Sequence, residues 1–232
     1  MDDINCVLPL ELLDTIFQAL PLADLKNVLL VCKLWKYLGE SPWLWATTIL
    51  KVSTENLHEI LQAMTSRRWM SLRSIAVRDI SDELLSAIIK HLSLRKLELN
   101  YVDLVETDEE LLANAVVGRE VADIRSCSLT SSQAITIFEK ISRGSPLHSL
   151  LIGPTKLSAI NPAVLGLAVT RLELVEMRGC QLTKNQIISI LQQAASTTRL
   201  SYLDIRGNWA TREVTRNFIE DAKRNIKELL YD

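Results

Sequence analysis

The 232-residue sequence has few of the residues on which catalytic and ligand-binding loops commonly depend. It contains seven glycines, four cysteines and three histidines. No glycine-rich phosphate loop occurs, and the cysteines lack the paired spacing of a zinc site. His58, His91 and His148 lie on separate segments, without a neighbouring arrangement that suggests a nucleophile and its base. We therefore expect no catalytic site, no cofactor and no metal.

Long apolar runs and an excess of charge of either sign are also missing. The sequence has 26 basic and 28 acidic residues, and its net charge of −2 gives no field that would attract nucleic acid or an anionic membrane. No stretch approaches the roughly 20 apolar residues of a membrane helix. The acidic start does not resemble a secretory signal. These absences predict a protein of the cytosol or the nucleus that has no nucleic-acid or membrane partner.

Large apolar residues are abundant at helical spacing in the first 45 residues. Those at positions 12, 13, 16, 17 and 20 form one face of a helix that begins near Pro9 and ends at Pro21. A second apolar face runs from Leu25 to Leu38, before Gly39. This unit carries more apolar residues than its short helices can enclose. The surplus either packs on the following domain or binds a partner, and periodicity does not separate the two.

The order and spacing of these residues resemble the F-box motif. The matching segments are Leu8-Pro9-x-Glu11-Leu12-Leu13-x-x-Ile16-Phe17-x-x-Leu20, Asp24-Leu25, Val31-Cys32-Lys33-x-Trp35 and Pro42-x-Leu44-Trp45. In that family the motif is a three-helix module that binds a Skp-type adaptor, which in turn binds a cullin-RING ubiquitin ligase. The resemblance implies an F-box docking module over residues 1–45. The adaptor-binding residues that it implies are Leu8, Pro9, Leu12, Ile16, Val31, Cys32, Trp35 and Trp45.

The rest of the chain, residues 46–232, follows a repeated template, LxxLxLxxNxL, whose starts are 22 to 28 residues apart. The starts are Leu72, Leu94, Arg119, Leu147, Leu172 and Leu200. Template positions four and six are apolar, and helical spacing follows. The pattern resembles leucine-rich repeats, with about six full units. An imperfect first unit is predicted at Leu44-x-x-Thr47-x-Ile49, and an imperfect last one at Ile226-x-x-Leu229-x-Tyr231.

Each such unit is a strand, a turn and a helix, and it cannot bury its strand alone, so adjacent units stack. The predicted fold is α/β: an N-terminal three-helix F-box fused to a curved leucine-rich-repeat solenoid, with an inner parallel β-sheet and outer helices. Position nine of the template, usually asparagine, is cysteine at Cys127 and Cys180. We expect these cysteines to pack in the turns rather than to act as reactive thiols or metal ligands.

A substrate surface is predicted on the concave side, which template positions three, five and seven face. Position five is mostly acidic and position seven mostly basic. This is either a self-neutralised, solvated face or a ligand surface. In the second case an apolar group lies near Leu151 and Pro154, and an acidic or phosphorylated group pairs with Arg125 or Arg178. The candidate substrate-binding residues are Arg78, Tyr101, Arg125, Leu151, Pro154, Arg178, Tyr202 and Arg206.

The resemblance therefore implies a non-catalytic substrate-recognition adaptor of an SCF-type ubiquitin ligase. Its F-box would bind the Skp-type adaptor, and its concave repeat face would bind a protein substrate. Two other functions stay open: a leucine-rich-repeat scaffold or inhibitor that acts without a ubiquitin ligase, and a hydrolase hidden in the solenoid. Binding to the Skp-type adaptor distinguishes the first function from the other two.

Overall fold

The computed structural model of the protein describes residues 8–20, 22–41, 44, 49–52, 73–77, 80–90, 94–99, 101–214 and 216–232. Three short helices come first: α1 (Leu10–Ala19), α2 (Leu22–Val31) and α3 (Lys33–Gly39). The apolar spacing of the first 45 residues predicts helical structure in this region, and the F-box resemblance implies three helices. From the strand at Ser74–Val77 onward, strands and helices alternate along the chain.

Within the described residues, eight strands form one parallel sheet in the order of the chain. They are β1 (Ile49–Val52), β2 (Ser74–Val77), β3 (Lys96–Leu99), β4 (Val121–Ile124), β5 (Ser149–Ile152), β6 (Leu174–Met177), β7 (Tyr202–Asp204) and β8 (Glu228–Leu230). The helices are α4 (Asp82–Lys90), α5 (Glu109–Val117), α6 (Ser131–Arg143), α7 (Pro162–Thr170), α8 (Lys184–Ala194) and α9 (Arg216–Lys223), with a 3-10 helix at Trp209–Glu213. The chain is therefore a mixed α/β protein with a parallel sheet.

Strands β2 to β7 each begin at the third template position, and neighbouring strands pair in step. Ser74 of β2, for example, pairs with Lys96 of β3, which pairs with Val121 of β4. The residues at positions four and six are buried, such as Ile75 and Val77. They form one hydrophobic core with the buried residues of the helices, because alternate residues of a strand point to the same side.

The predicted first unit is out of register by three residues. Strand β1 pairs Ile49 with Ser74, which places Ile49 at template position three, whereas the sequence pattern predicts position six. Leu50 and Val52 therefore take the two apolar positions. The error arose from Leu44, which is fully buried but precedes the strand, because a leucine at a suitable distance satisfies the start of the template. The last unit is in the predicted register, since β7 pairs with β8 in step.

Buried glutamines connect consecutive units. Gln186 is the third residue of α8, and it forms a capping box with the threonine before the helix. Its Nε2 also donates to the carbonyl oxygens of Leu157 and Ile160, both at 2.8 Å, in the preceding unit. Gln133 of α6 makes the equivalent contacts with the unit that precedes its own. These side chains therefore bind the buried loops of one unit to the helix of the next.

Template position nine makes a second set of contacts between units. Asn208 donates from Nδ2 to two backbone carbonyls, each at 2.8 Å. The Sγ of Cys127 donates to the carbonyl of Leu99 at 3.1 Å, and the Sγ of Cys180 donates to that of Gly153 at 3.0 Å. Burial raises the pKa of Cys127 to about 11 and that of Cys180 to about 12. Both thiols are thus packed in the turns, as predicted.

Arg119 begins a unit at the position where the other units have leucine, and it is only 1% exposed. Its guanidinium donates to the carbonyl oxygens of Ile88 at 2.9 Å, Leu94 at 3.2 Å and Ala115 at 3.2 Å. Burial lowers the pKa of Arg119. Among the described residues no carboxylate forms an ion pair with it. The arginine therefore connects α4, the start of β3 and α5 through backbone carbonyls rather than through opposite charge.

Candidate binding surfaces

The three N-terminal helices enclose a small apolar core. Leu13 and Phe17 of α1 and Leu25 and Val28 of α2 are nearly fully buried. The ring of Trp35 on α3 meets that of Phe17 edge-to-face, with centroids 5.2 Å apart and planes at 66°. Such aromatic pairs add about 0.5–1.5 kcal/mol beyond burial of their area. Trp35, a predicted adaptor-binding residue, thus supports the bundle from within.

A second set of apolar residues on the same helices is exposed. Leu12 and Ile16, one turn apart on α1, are 49% and 45% exposed, and Val31 at the end of α2 is 58% exposed. All three are predicted adaptor-binding residues. Large apolar side chains left in water on so small a unit are typical of a surface that a partner covers. Three further large side chains are exposed on these helices and were not predicted from the sequence: Leu10, Leu30 and Tyr37.

The other predicted adaptor-binding residues occupy supporting or flanking positions. Pro9 is exposed and caps α1, and Leu8 before it is half-buried. Cys32 is half-buried and caps α3, since its Sγ accepts from the backbone N–H of Trp35 at 3.5 Å. Trp45 lies outside the described residues. Of the predicted residues that the structure describes, Pro9 and the three residues of α1 and α2 are exposed.

The second surface is the side of the sheet that carries template positions three and five, here called the open face. On β2 to β7, its residues are 74, 76, 96, 98, 121, 123, 149, 151, 174, 176, 202 and 204. Most are half-buried, but Asp123 and Asp204 are buried. Two arginines that follow β4 and β7, Arg125 and Arg206, bind these carboxylates two residues back along the chain. The buried position of each aspartate is thus stabilised by its own arginine.

The guanidinium of Arg125 binds two carboxylates. Its Nε and NH2 donate to Asp123 at 3.0 and 2.8 Å, and its NH1 donates to Oε2 of Glu176 at 3.2 Å. The hydrogen bond with Asp123 and the charges of both carboxylates outweigh burial and raise the pKa of Arg125. The backbone beside it is closely packed, because a Cβ at Gly153 would lie 1.5 Å from the carbonyl oxygen of Arg125.

At the other end of the open face, two guanidiniums share one carboxylate. Arg206 donates from Nε and NH2 to the two oxygens of Asp204 at 3.0 and 2.8 Å, and Arg178 donates from Nε to Oδ2 at 2.5 Å. Burial opposes ionisation of Asp204, but the hydrogen bonds from Arg206 and Arg178 outweigh it and hold its pKa below the ordinary value. Asp204 is therefore ionised at neutral pH, and the carboxylate of Asp232 adds a further negative charge near Arg206.

Two adjoining grooves lie beside this cluster. The first has a volume of about 330 Å³ and is lined by Pro154, Arg178, Gly179, Arg206 and Gly207. The second has a volume of about 240 Å³ and is lined by Gly207, Trp209, Arg212 and Asp232. Trp209 is 83% exposed, and the guanidinium of Arg212 lies 5.5 Å from the centroid of its ring. The two grooves share Gly207.

The structure brings some of the predicted substrate-binding residues together. Pro154, Arg178 and Arg206 line one groove, and Leu151 is half-buried on β5, beside β6. Tyr202 is half-buried on β7. Elsewhere, Tyr101 is exposed in the loop after β3. Arg78 lies outside the described residues.

Neither a metal site nor a membrane helix is found in the described part of the chain. Within those ranges, no group of three or more histidine, cysteine, aspartate or glutamate side chains is placed to hold a metal ion. No described helix is both long enough and apolar enough to cross a membrane.

Comparison with known families identifies the first part of the chain. Residues 6–51 match the model of the F-box-like family. The match includes helices α1 to α3, with their buried core and their exposed apolar residues. A comparison of the sequence with curated proteins found no significant match. Residues 6–51 of this protein are therefore an F-box-like domain.

Proposed function

We propose that this protein is the substrate-recognition adaptor of an SCF-type ubiquitin ligase. Its F-box-like domain binds a Skp-type adaptor and, through it, a cullin-RING ligase, while the open face of the sheet binds a protein substrate. The observation that carries the proposal is the F-box-like match of residues 6–51, whose first two helices expose Leu12, Ile16 and Val31. The protein itself is non-catalytic and acts in the cytosol or the nucleus.

In this proposal residues 46–232 form a curved leucine-rich-repeat solenoid, with the open face on its concave side. Three features support the assignment. The strands follow one another in chain order and in step. Template positions four and six are buried throughout β2 to β6. Position nine is a buried donor to backbone carbonyls at Cys127, Cys180 and Asn208. These are the contacts that stacked repeats need to bury one continuous core.

The hydrophobic effect would drive the docking step. Complete removal of a leucine, isoleucine or valine side chain from water contributes about 1.5–3 kcal/mol, and each of Leu12, Ile16 and Val31 is roughly half exposed. An aspartate at any of these positions would place an unpaired carboxylate in the interface, which is strongly unfavourable. Since the side chains face solvent in the free protein, the same substitutions should leave the bundle folded.

The direct test is a calorimetric titration of the purified chain with a purified Skp-type adaptor. We expect saturable binding, and we expect the triple variant Leu12→Asp, Ile16→Asp, Val31→Asp to bind at least about 100-fold more weakly. The control is Leu167→Asp, because Leu167 is 43% exposed on α7, outside the F-box-like domain, and should leave the affinity unchanged. Absence of binding by the original chain, or equal affinity of the folded triple variant, contradicts the proposal.

A further inference from the structure

We infer that Ser145 is a phosphorylation site for a proline-directed protein kinase, and that the guanidinium of Arg171 binds the phosphate group once it is attached. The inference concerns a modification of this chain itself, so it goes beyond the proposed function and does not depend on it. It is carried by the Ser145-Pro146 dipeptide in an open loop and by an arginine beside that loop that has no carboxylate partner among the described residues.

The loop between α6 and β5 presents Ser145 in a form that a kinase can bind. Ser145 belongs to neither a helix nor a strand, and it is half-buried between exposed Gly144 and exposed Pro146. A residue before proline is biased towards an extended backbone, and protein kinases bind their acceptor segments extended. Among the described residues beyond the adjacent ones, a Cβ at Gly144 would meet only NH1 of Arg171 within 4 Å. The surroundings of this loop are therefore open.

The hydroxyl of Ser145 is available for the reaction. In the described part of the chain it makes no hydrogen bond. By contrast, the hydroxyl of Ser142 at the end of α6 donates to the carbonyl oxygen of Glu139 at 2.7 Å. In the transfer, Oγ of Ser145 bonds to the γ-phosphorus of ATP, the bond from that phosphorus to the ADP oxygen breaks, and the hydroxyl proton passes to the catalytic aspartate of the kinase.

Arg171 lies where it can bind the attached phosphate. It is exposed and caps the end of α7, and its NH1 would lie 3.8 Å from a Cβ at Gly144. Since consecutive Cα atoms are only about 3.8 Å apart, a phosphate on Ser145 is within reach of this guanidinium. No carboxylate of the described ranges forms an ion pair with Arg171. Its donors are therefore free for phosphate oxygens, which they match in geometry.

The other charged groups around the loop lie beside partners of their own. The pairs are Arg143–Glu139 at 3.1 Å, Lys140–Glu110 at 2.8 Å, Arg95–Glu120 at 3.5 Å and His148–Glu173 at 3.9 Å. The C-terminal end of α6 carries a partial negative charge, which opposes a phosphate on Ser145. Because the neighbouring cations already have carboxylate partners, Arg171 supplies the attraction that offsets this repulsion.

The first measurement asks whether the folded chain accepts phosphate at Ser145. The purified full chain is incubated with a proline-directed kinase, ATP and Mg²⁺, and the phosphate is located by peptide mass mapping. We expect phosphorylation of Ser145 in the folded chain and none of the corresponding peptide in Ser145→Ala. Phosphate confined to other residues, such as Ser41 before Pro42, overturns the inference, as does phosphorylation of Ser145 only in denaturant.

The second measurement tests Arg171 without a kinase. Phosphoserine is incorporated at position 145 during synthesis of the full chain, and its second pKa, ordinarily about 6, is measured by ³¹P NMR. We expect this pKa to be at least about 0.5 lower than in Arg171→Gln, because the guanidinium stabilises the dianion. In the variant the helix end acts alone, so the pKa should equal or exceed that in the unfolded chain.

Arg199→Gln is the matched control. Arg199, like Arg171, is exposed, directly precedes the first residue of a unit and forms no ion pair within the described ranges, but it lies one unit further from Ser145. Its substitution removes the same charge and should leave the phosphate pKa unchanged. An equal pKa in the original chain and in Arg171→Gln, or an equal rise in both variants, overturns the assignment of Arg171.

Discussion

Arg125 and Glu176 are joined across an intervening strand. Arg125 follows β4 and Glu176 lies on β6, yet NH1 of the arginine lies 3.2 Å from Oε2 of the glutamate, with β5 between them. Among the described residues, each strand of the sheet pairs only with its immediate neighbours. This ion pair therefore connects units that share no backbone hydrogen bonds, and it also withdraws Arg125 from binding other anions.

The Arg125–Glu176 pair should help to fix the relative position of the two units, but it should contribute little to the free energy of unfolding. Half of the Arg125 side chain is exposed, so solvent screens the interaction. A double-mutant cycle with Arg125→Gln and Glu176→Gln, followed by urea unfolding, should give a coupling free energy of about 0.2–1 kcal/mol. A coupling above about 2 kcal/mol would mean that the pair is far better shielded from solvent than this structure indicates.

Arg119 should be among the most sensitive residues of the sheet region. Arg119→Ala removes the donors to three carbonyl oxygens and leaves a cavity, and we expect the free energy of unfolding to fall by about 3–5 kcal/mol. Arg119→Leu fills the space with the residue that other units use, so its cost should be smaller, about 1–3 kcal/mol. Chemical unfolding of both variants checks this order. Equal stability of the alanine variant and the original chain would contradict the assigned contacts.

Gln186 should contribute to stability in a way that a surface glutamine does not. Gln186→Ala removes two donated hydrogen bonds to carbonyls of the preceding unit, and we expect a loss of about 2–3 kcal/mol. Gln192 is exposed on the same helix, so Gln192→Ala is the matched control and should change stability by less than about 0.5 kcal/mol. The melting temperatures of the two variants, compared side by side, decide the question.

The buried cysteines should be unreactive in the folded protein. Since burial raises the pKa of Cys127 to about 11, only about one thiol in a thousand is ionised at pH 8, and Cys180, at about 12, is still less so. Iodoacetamide at pH 8 should leave both unmodified until the chain is unfolded, as read by peptide mass mapping. Rapid modification of either in the folded chain would contradict its placement.

The same pKa values predict a stability loss at high pH. The unfolded thiols ionise near 9.0, below the folded values of about 11 and about 12. The unfolded state therefore binds fewer protons above pH 9, and the contribution of both thiols, complete below pH 9, declines as pH rises toward 12. Substituting Cys127→Ala and Cys180→Ala together should flatten the decline of unfolding free energy between these limits. An unchanged slope would show that other groups cause it.

The periodic parts of this fold were predictable from the sequence, and the side-chain pairings were not. Positions four and six recur in every unit, and a slip by one residue would expose Ile75 and Val77, so the register of β2 to β7 follows from the pattern. The register of β1 was wrong because Leu44 fits the template without being part of the strand. A leucine before a strand and a leucine at the start of the template look alike in the sequence, so the sequence alone does not distinguish them.

At the candidate surfaces, too, the residue types were predictable from the sequence and their side-chain contacts were not. A column of acidic residues beside a column of arginines was visible in the sequence, but not that Arg178 turns to Asp204 of the next unit while Arg125 contacts two acidic residues. Those directions depend on strand spacing and on the glycines of the loops. At the N-terminus, Leu30 and Tyr37 lie outside the buried stripe of their helices, and helical position alone would have pointed to their exposure.

The central claim is that docking and substrate binding lie in separate parts of the chain, and parallel affinity capture from cells tests it most directly. The baits are the original chain, the folded triple variant Leu12→Asp, Ile16→Asp, Val31→Asp, and the variant Arg178→Gln. We predict that the triple variant loses the Skp-type adaptor and the cullin but keeps the partners of the open face, and that Arg178→Gln does the reverse. If either folded variant loses both classes of partner together, the two functions are not separable and the account is wrong.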